Sequence, residues 1–357
     1  MIYGHGGDIY TYGDMLDFSV NINPLGPPGK AVDAAKRSMD QITAYPDSRC
    51  RELRKKLADK EGMPEDFYIF GNGAAEILYT LVLAIKPKRA LLPVPAFSEY
   101  EQALRSGGCH IEYYTTKQEN GFCIDEDFLS EITEDIDILF LCSPSNPSGH
   151  VIRRELLEQV AVRCEKQNVR MVLDECFAGF LEDPGRYSML CFAAQYKQLF
   201  LVRAFTKIYA MPGLRLGYGI TSDCGLLEAM EAARQPWSVS IPAQAAGTAA
   251  LDDEETVSRA GRFISEQREK MEENLRRHGI RFVPSDANFI LFYTEINLFE
   301  ELKKYRILIR DCSNYRGLGR GWYRIAVRTA EENAVLMKAL DEIMAGSTGK
   351  YAKEDDR

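Results

Sequence analysis

Residues 199–219 read L-F-L-V-R-A-F-T-K-I-Y-A-M-P-G-L-R-L-G-Y-G, and the rest of the chain can be organised around them. The apolar run 199–202 has the length and composition of a buried strand. Lys207 then falls where that strand runs out into a loop, partly shielded from water. Desolvation disfavours an ammonium and brings the neutral amine within reach. A neutral amine on a flexible stem can condense with an aldehyde. Eight residues on, Arg215 follows the turn signal Pro212-Gly213, so the chain can fold back and aim a guanidinium at the same spot; Thr206 adds a hydroxyl. Lysine, hydroxyl and arginine together suit an aldehyde that also carries a phosphate. Most lysines are solvated surface charges, so this reading depends on what lies upstream.

Working outward, candidate strands at 68–70, 90–93, 111–114, 136–142, 170–173, 199–202 and 216–220 alternate with segments of helical spacing such as 74–85 and 153–167. This alternation predicts an α/β fold with a mostly parallel central sheet and helices on both faces. The run I-D-I-L-F-L-C at 136–142 suits a strand covered on both sides. After residue 250 a long polar helix, 253–278, leads to shorter strands at 280–283, 288–292, 307–310 and 323–327, the pattern of a smaller α+β unit. The expected division is a large cofactor-binding domain, 40–252, and a small domain from 1–39 and 253–345 that includes an N-terminal arm. Residues 346–357 are expected to form a flexible tail.

The chain of 357 residues carries a net charge of −9, which argues against nucleic acid as the main partner. Its longest mainly apolar run, 77–85, is too short to cross a bilayer, so no membrane association is expected. Nine cysteines without C-x-x-C spacing read as reduced thiols and point to the cytoplasm.

Three motifs precede Lys207. G-N-G-A-A-E at 71–76 follows a strand and opens a helix, whose free N–H groups can hold a phosphate. C-S-P-S-N-P-S-G at 142–149 fixes Asn146 between two prolines, suited to bonding one oxygen. V-L-D-E-C-F at 172–177 puts Asp174 at the end of a buried strand, where a carboxylate needs a partner. A protonated pyridine nitrogen is such a partner, and the pairing turns the ring into an electron sink. Pyridoxal 5'-phosphate has the aldehyde, the phosphate and the ring nitrogen.

Asn146, Asp174, Lys207 and Arg215 are separated by 28, 33 and 8 residues, each beside a strand end. In this the chain resembles fold-type-I pyridoxal-phosphate enzymes over nearly its whole length. The resemblance implies that Phe97, in P-V-P-A-F, stacks on the cofactor ring. It gives Asn146 to the phenolic oxygen, Asp174 to the ring nitrogen, and Gly73, Ala74, Ala75, Thr206 and Arg215 to the phosphate. Tyr45, in A-Y-P-D, would reach in from a second subunit, implying a homodimer. Three positions depart from the family pattern: Ala204 replaces a usual serine, Phe177 a common tyrosine, and Ala75 is often polar in relatives.

Within that superfamily the chain is most similar to the threonine-phosphate decarboxylases of cobalamin synthesis. The similarity rests on H-G-G at 5–7, L-D-F-S-V-N-I-N-P-L-G at 16–26, P-W-S-V-S at 236–240, I-L-I-R-D-C-S-N-Y at 307–315 and Y-R-I-A-V-R at 323–328. It implies a small anionic amino-acid substrate bound by His5, Asn21, Arg310 and Arg324. Positions 324, 326 and 328 share one face of a strand, so Arg328 is expected either to support that pocket or to make a salt bridge at the strand end. The expected reaction is decarboxylation of L-threonine O-3-phosphate, or of L-serine phosphate. The alternative is a histidinol-phosphate-type aminotransferase using 2-oxoglutarate. A non-catalytic regulatory or binding module that has kept the fold is a third reading, opposed by the intact Lys207 and Asp174.

Overall fold

Strands β2 (Tyr68–Asn72), β3 (Arg89–Val94), β4 (His110–Thr115), β5 (Ile138–Cys142), β6 (Arg170–Asp174), β7 (Leu199–Ala204) and β8 (Leu216–Ile220) form one sheet in the order β2-β8-β7-β6-β5-β3-β4; β1 (Leu16–Asp17) lies outside it. The computed structural model describes residues 4–351. All neighbouring strands pair in parallel except β8, which runs antiparallel to both β2 and β7.

The two-residue period of the strands explains why apolar runs were needed. Leu139, Leu141, Met171, Leu173, Leu199 and Leu201 face one layer of helices, including Arg51–Glu61, Arg154–Gln167 and Ile241–Ala250. Ile138, Phe140, Val172, Phe200 and Val202 face the other, formed by helices Gly73–Ile85, Ser98–Ser106 and Cys224–Ala233. Both faces of each central strand are therefore dry, and an alternating polar pattern could not have served. Burying an aliphatic side chain of this size contributes roughly 1.5–3 kcal/mol.

The C-terminal part begins with helix Glu254–Arg277, capped by Asp253, whose side chain accepts from Thr256 N at 2.9 Å. It packs on a four-stranded antiparallel sheet of β9 (Arg281–Val283), β10 (Phe289–Tyr293), β12 (Arg310–Asp311) and β13 (Trp322–Ala326), ordered β12-β13-β10-β9. The single strand expected at 307–310 is two: β11 (Ile307–Leu308) pairs instead with β1, in parallel. Phe177, Phe180 and Ile208, from the loops that follow β6 and β7, are buried in the core of this second sheet. The loops that carry the candidate chemistry thus anchor the two layers to each other.

The last helix, Ala330–Tyr351, runs into the stretch expected as a tail; the remainder of that expectation lies outside the described residues. Among the described residues no helix is long and apolar enough to cross a membrane.

Candidate active site

Parallel strands present their carboxyl ends at one edge of a sheet, where loops converge. Here Asp174 ends β6 and pairs in register with Cys142, the end of β5, and with Val202 in β7. Because β8 runs the other way, its start lies at this same edge: Leu216 pairs with Asn72 at the end of β2, and Gly217 with Ala204 at the end of β7. Arg215 therefore reaches the edge by preceding a strand, whereas Thr206 and Lys207 reach it by following one.

The start of helix Gly73–Ile85 rests on β8 through a close backbone approach. A Cβ on Gly217 would lie 2.4 Å from Ala74 N, and a Cβ on Gly73 would lie 2.4 Å from an Arg215 guanidinium nitrogen. Gly73 has φ +79°, open to glycine at little cost, while Arg215 holds a left-handed φ of +56°. Glu76 reaches back to accept from Asn72 N at 2.6 Å, satisfying the amide just outside the helix. The first N–H groups of the helix and the Arg215 guanidinium are left as an anion cradle.

A cavity of about 250 Å³ opens on this edge. It is lined by Ala74, Ala75, Phe97, Asn146, Asp174, Thr206, Lys207 and Arg215, and also by His5, Asn21, Arg310 and Arg324. Gly73 is buried just behind, against Arg215. Lys207 is partly accessible through the cavity yet enclosed by protein. Burial, helped by the nearby charges of Arg324 and Arg215, pulls its ammonium down to about 8. The marked neighbour of its Nζ is the face of Phe177, 5.7 Å away, and among the described residues it has no salt bridge. Asp174 is buried, and that burial raises its carboxyl above the usual range; hydrogen bonds from Cys176 and Tyr100 oppose the rise.

Arg324 lies deep in the cavity wall. It donates to Asn146 Oδ1 and to the carbonyl oxygen of Ser19 at 3.2 Å, and its plane covers Phe289 at 5.1 Å; among the described residues its buried Nε has no partner. Arg310 and His5 stand at the mouth. Arg310 donates to the Gly4 carbonyl and to Asn314 Oδ1 at 2.9 Å. His5 Nε2 lies 3.0 Å from Glu99, a contact that holds the Glu99 carboxyl below its usual range. Asn21 is buried, and among the described residues its Oδ1 has no hydrogen-bond partner.

Two expected residues lie elsewhere. Arg328 does not line the cavity, because β13 ends at Ala326 and the alternation that grouped 324, 326 and 328 stops there. Its guanidinium instead pairs with Glu332 at 2.7 Å, the strand-end salt bridge of the two expectations. Tyr45 is exposed, stacks on Trp237 at 4.4 Å and lies off the cavity of its own chain. Conversely Tyr100, Ser19, Cys176 and Tyr315 line the cavity although no role was expected of them; all but Tyr100 lie within the motifs quoted above. Tyr315 OH donates to Asn146 Oδ1 at 3.3 Å across 169 residues, a separation that no motif spans.

Comparison with known proteins agrees with this geometry. The sequence profile of aminotransferase class I and II matches residues 13–340. The chain belongs to that family. This family member is 35% identical to threonine-phosphate decarboxylase of Salmonella typhimurium LT2 over 96% of its own length and 97% of the relative's. It is 30% identical to an adenosylcobalamin biosynthesis bifunctional protein of Leptospira interrogans, covering 96% of this chain and 41% of that one. Among solved structures it resembles the histidinol-phosphate aminotransferase of Clostridium acetobutylicum, with TM-score 0.87, 32% identity, 93% of this chain covered and all of the other. The cofactor is pyridoxal 5'-phosphate. The residues present fit it: an anion cradle at Gly73 and Arg215, a buried carboxylate at Asp174, and a lysine amine between them.

Proposed function

We propose that this aminotransferase-family protein is a lyase that decarboxylates an O-phospho-amino acid for cobamide synthesis. Its substrate is L-threonine O-3-phosphate, giving aminopropanol phosphate; L-serine phosphate, giving ethanolamine phosphate, is the nearest homologue it could take. The observation that carries the reading is that one cavity has guanidinium groups at two depths. Arg324 lies beside Asn146 and Lys207, while Arg310 and His5 stand at the mouth. A phospho-amino acid has two anionic ends, and the forked guanidinium suits both carboxylate and phosphate.

Phe97, Asn146, Asp174 and Thr206 hold the ring and phosphate of pyridoxal phosphate together with Gly73, Ala74, Ala75 and Arg215. When bound, that cofactor supplies an electron sink for the bond broken at the substrate α-carbon. Arg324 orients the substrate carboxylate, with Asn21 beside it, and Arg310 and His5 hold the substrate phosphate. Carbon dioxide leaves, and Lys207 Nζ, whose proton is easily released, returns a proton to the α-carbon. The enzyme acts as a homodimer, with Tyr45 of the partner subunit completing each cavity; the exposure of Tyr45 beside the exposed Trp237 supports this. Nine free cysteines fit a reducing cytoplasm.

Phosphothreonine mixed with the cofactor-loaded protein should release carbon dioxide without any keto acid. Turnover only on histidinol phosphate, and only with 2-oxoglutarate, would instead support the aminotransferase reading that the Clostridium likeness favours.

A further inference from the structure

Tyr100 lies in helix Ser98–Ser106, and only 1% of its surface is exposed. Its ring stacks on Phe140 with centroids 5.4 Å apart and meets Phe97 edge-on at 5.7 Å. For those contacts a phenylalanine would serve as well. A hydroxyl this deep needs a hydrogen-bond partner, and here it donates to Asp174 Oδ2 at 2.7 Å. The other carboxylate oxygen, Oδ1, accepts from Cys176 N at 2.9 Å. Besides this pair the Cys176 thiol also contacts the carboxylate, whose two oxygens can accept about four bonds in all. The pair of bonds fixes the plane of the carboxylate and leaves acceptor capacity on it.

We propose that Tyr100 is a positioning residue for the cofactor: its hydroxyl keeps Asp174 ionised and oriented to receive the ring nitrogen of pyridoxal phosphate. This rests on the family's cofactor, and it adds a residue that no sequence motif singles out. The titratable groups facing Asp174 are Tyr100 on its helix, Cys142 at the end of β5, Cys176 just past β6 and Lys207 past β7. Neither thiol matches the phenol, because an S–H is the weaker donor. Cys142 Sγ already donates to the Pro144 carbonyl at 3.1 Å, and burial pushes the Cys176 thiol well up, so it adds no charge. Burial beside Asp174 pushes the Tyr100 hydroxyl well above its ordinary range too, so it stays a donor at every working pH.

The test is equilibrium binding of two ligands to wild type and to Tyr100→Phe: pyridoxal phosphate, and the analogue with carbon in place of the ring nitrogen. A hydrogen bond to a charged group predicts about ten- to a hundredfold weaker binding of the natural cofactor by the variant, and less than about threefold for the analogue. The absorbance of the bound natural cofactor should also titrate at higher pH on its acid side in the variant, since removing a donor makes Asp174 easier to protonate. Equal losses for both ligands mean that Tyr100 only packs, and no loss for the natural cofactor means that it does nothing for Asp174; either overturns the proposal. A wild-type protein binding neither ligand would overturn the cofactor assignment as well.

Discussion

Arg310 donates to the backbone carbonyl of Gly4, so the arginine at the cavity mouth also holds down the arm that brings His5 there. Exchange of that carbonyl for a substrate phosphate would trade a neutral acceptor for a charged one, the stronger of the two. Arg310→Gln should therefore raise KM for phosphothreonine by about 10- to 100-fold, with a smaller change in kcat. Arg310→Lys should restore only part of it, since an ammonium lacks the fork. Steady-state kinetics with phosphothreonine decide this; an unchanged KM in the glutamine variant would remove Arg310 from the substrate site.

Gly217 is where β8 and the phosphate-cradle helix touch. The atom a Cβ would strike, Ala74 N at 2.4 Å, belongs to backbone and cannot swing aside. Gly217→Ala is expected to displace the helix start and weaken cofactor binding by about tenfold or more, while the far larger sheet core keeps the fold. Titration of cofactor into the variant, followed by absorbance, measures it. Wild-type affinity would mean that the cradle does not need this contact.

In β7, Arg203 is clasped between two acids, Glu175 at 2.6 Å and Glu61 at 2.7 Å, and Ser188 donates to Glu175 at 2.9 Å. Removing one member of a buried ionic group leaves the others unpaired in low dielectric. Arg203→Met should cost about 3–5 kcal/mol of stability. Urea denaturation of the cofactor-free protein gives the number. A loss below 1 kcal/mol would mean that solvent reaches the two carboxylates.

Lys207 sets a pH dependence. Its folded value of about 8 lies below the ordinary 10.5. Between those values the unfolded chain holds a proton that the folded chain lacks, so stability of the cofactor-free protein should rise with pH across that window. Below it, both states are charged and the full burial penalty remains. Lys207→Met removes the penalty, and the cofactor-free variant should be more stable at pH 7 by about 1–3 kcal/mol. The same variant should release no carbon dioxide from phosphothreonine. Thermal unfolding at pH 7 and pH 10 tests the sign: the gap between variant and wild type should narrow at the higher pH.

What was legible in the sequence follows from where the forces are local. Most strands of the main sheet could be read because they are apolar runs dry on both faces, as Leu139 and Phe140 illustrate by packing into opposite layers; the edge strand β4 is only partly buried. The residues at the sheet edge could be read because each follows or precedes a strand by a few positions, as Lys207 and Arg215 do. For Arg328 periodicity left two outcomes open, because the alternation stops at Ala326, where the chain leaves the sheet, and the structure shows the salt bridge with Glu332. Tyr100 was invisible for another reason. A phenylalanine would satisfy every local pattern at that position, and the hydroxyl's bond to Asp174 crosses 74 residues.

Arg324 joins Asn146 and Ser19 by hydrogen bonds, linking three points spread over 305 residues of chain. On a ribosome, the first two would leave the exit tunnel long before the third is synthesised. The vitamin can therefore be fully enclosed only once translation has passed residue 324, and capture of the coloured cofactor by a stalled nascent chain would report how late the wall is completed.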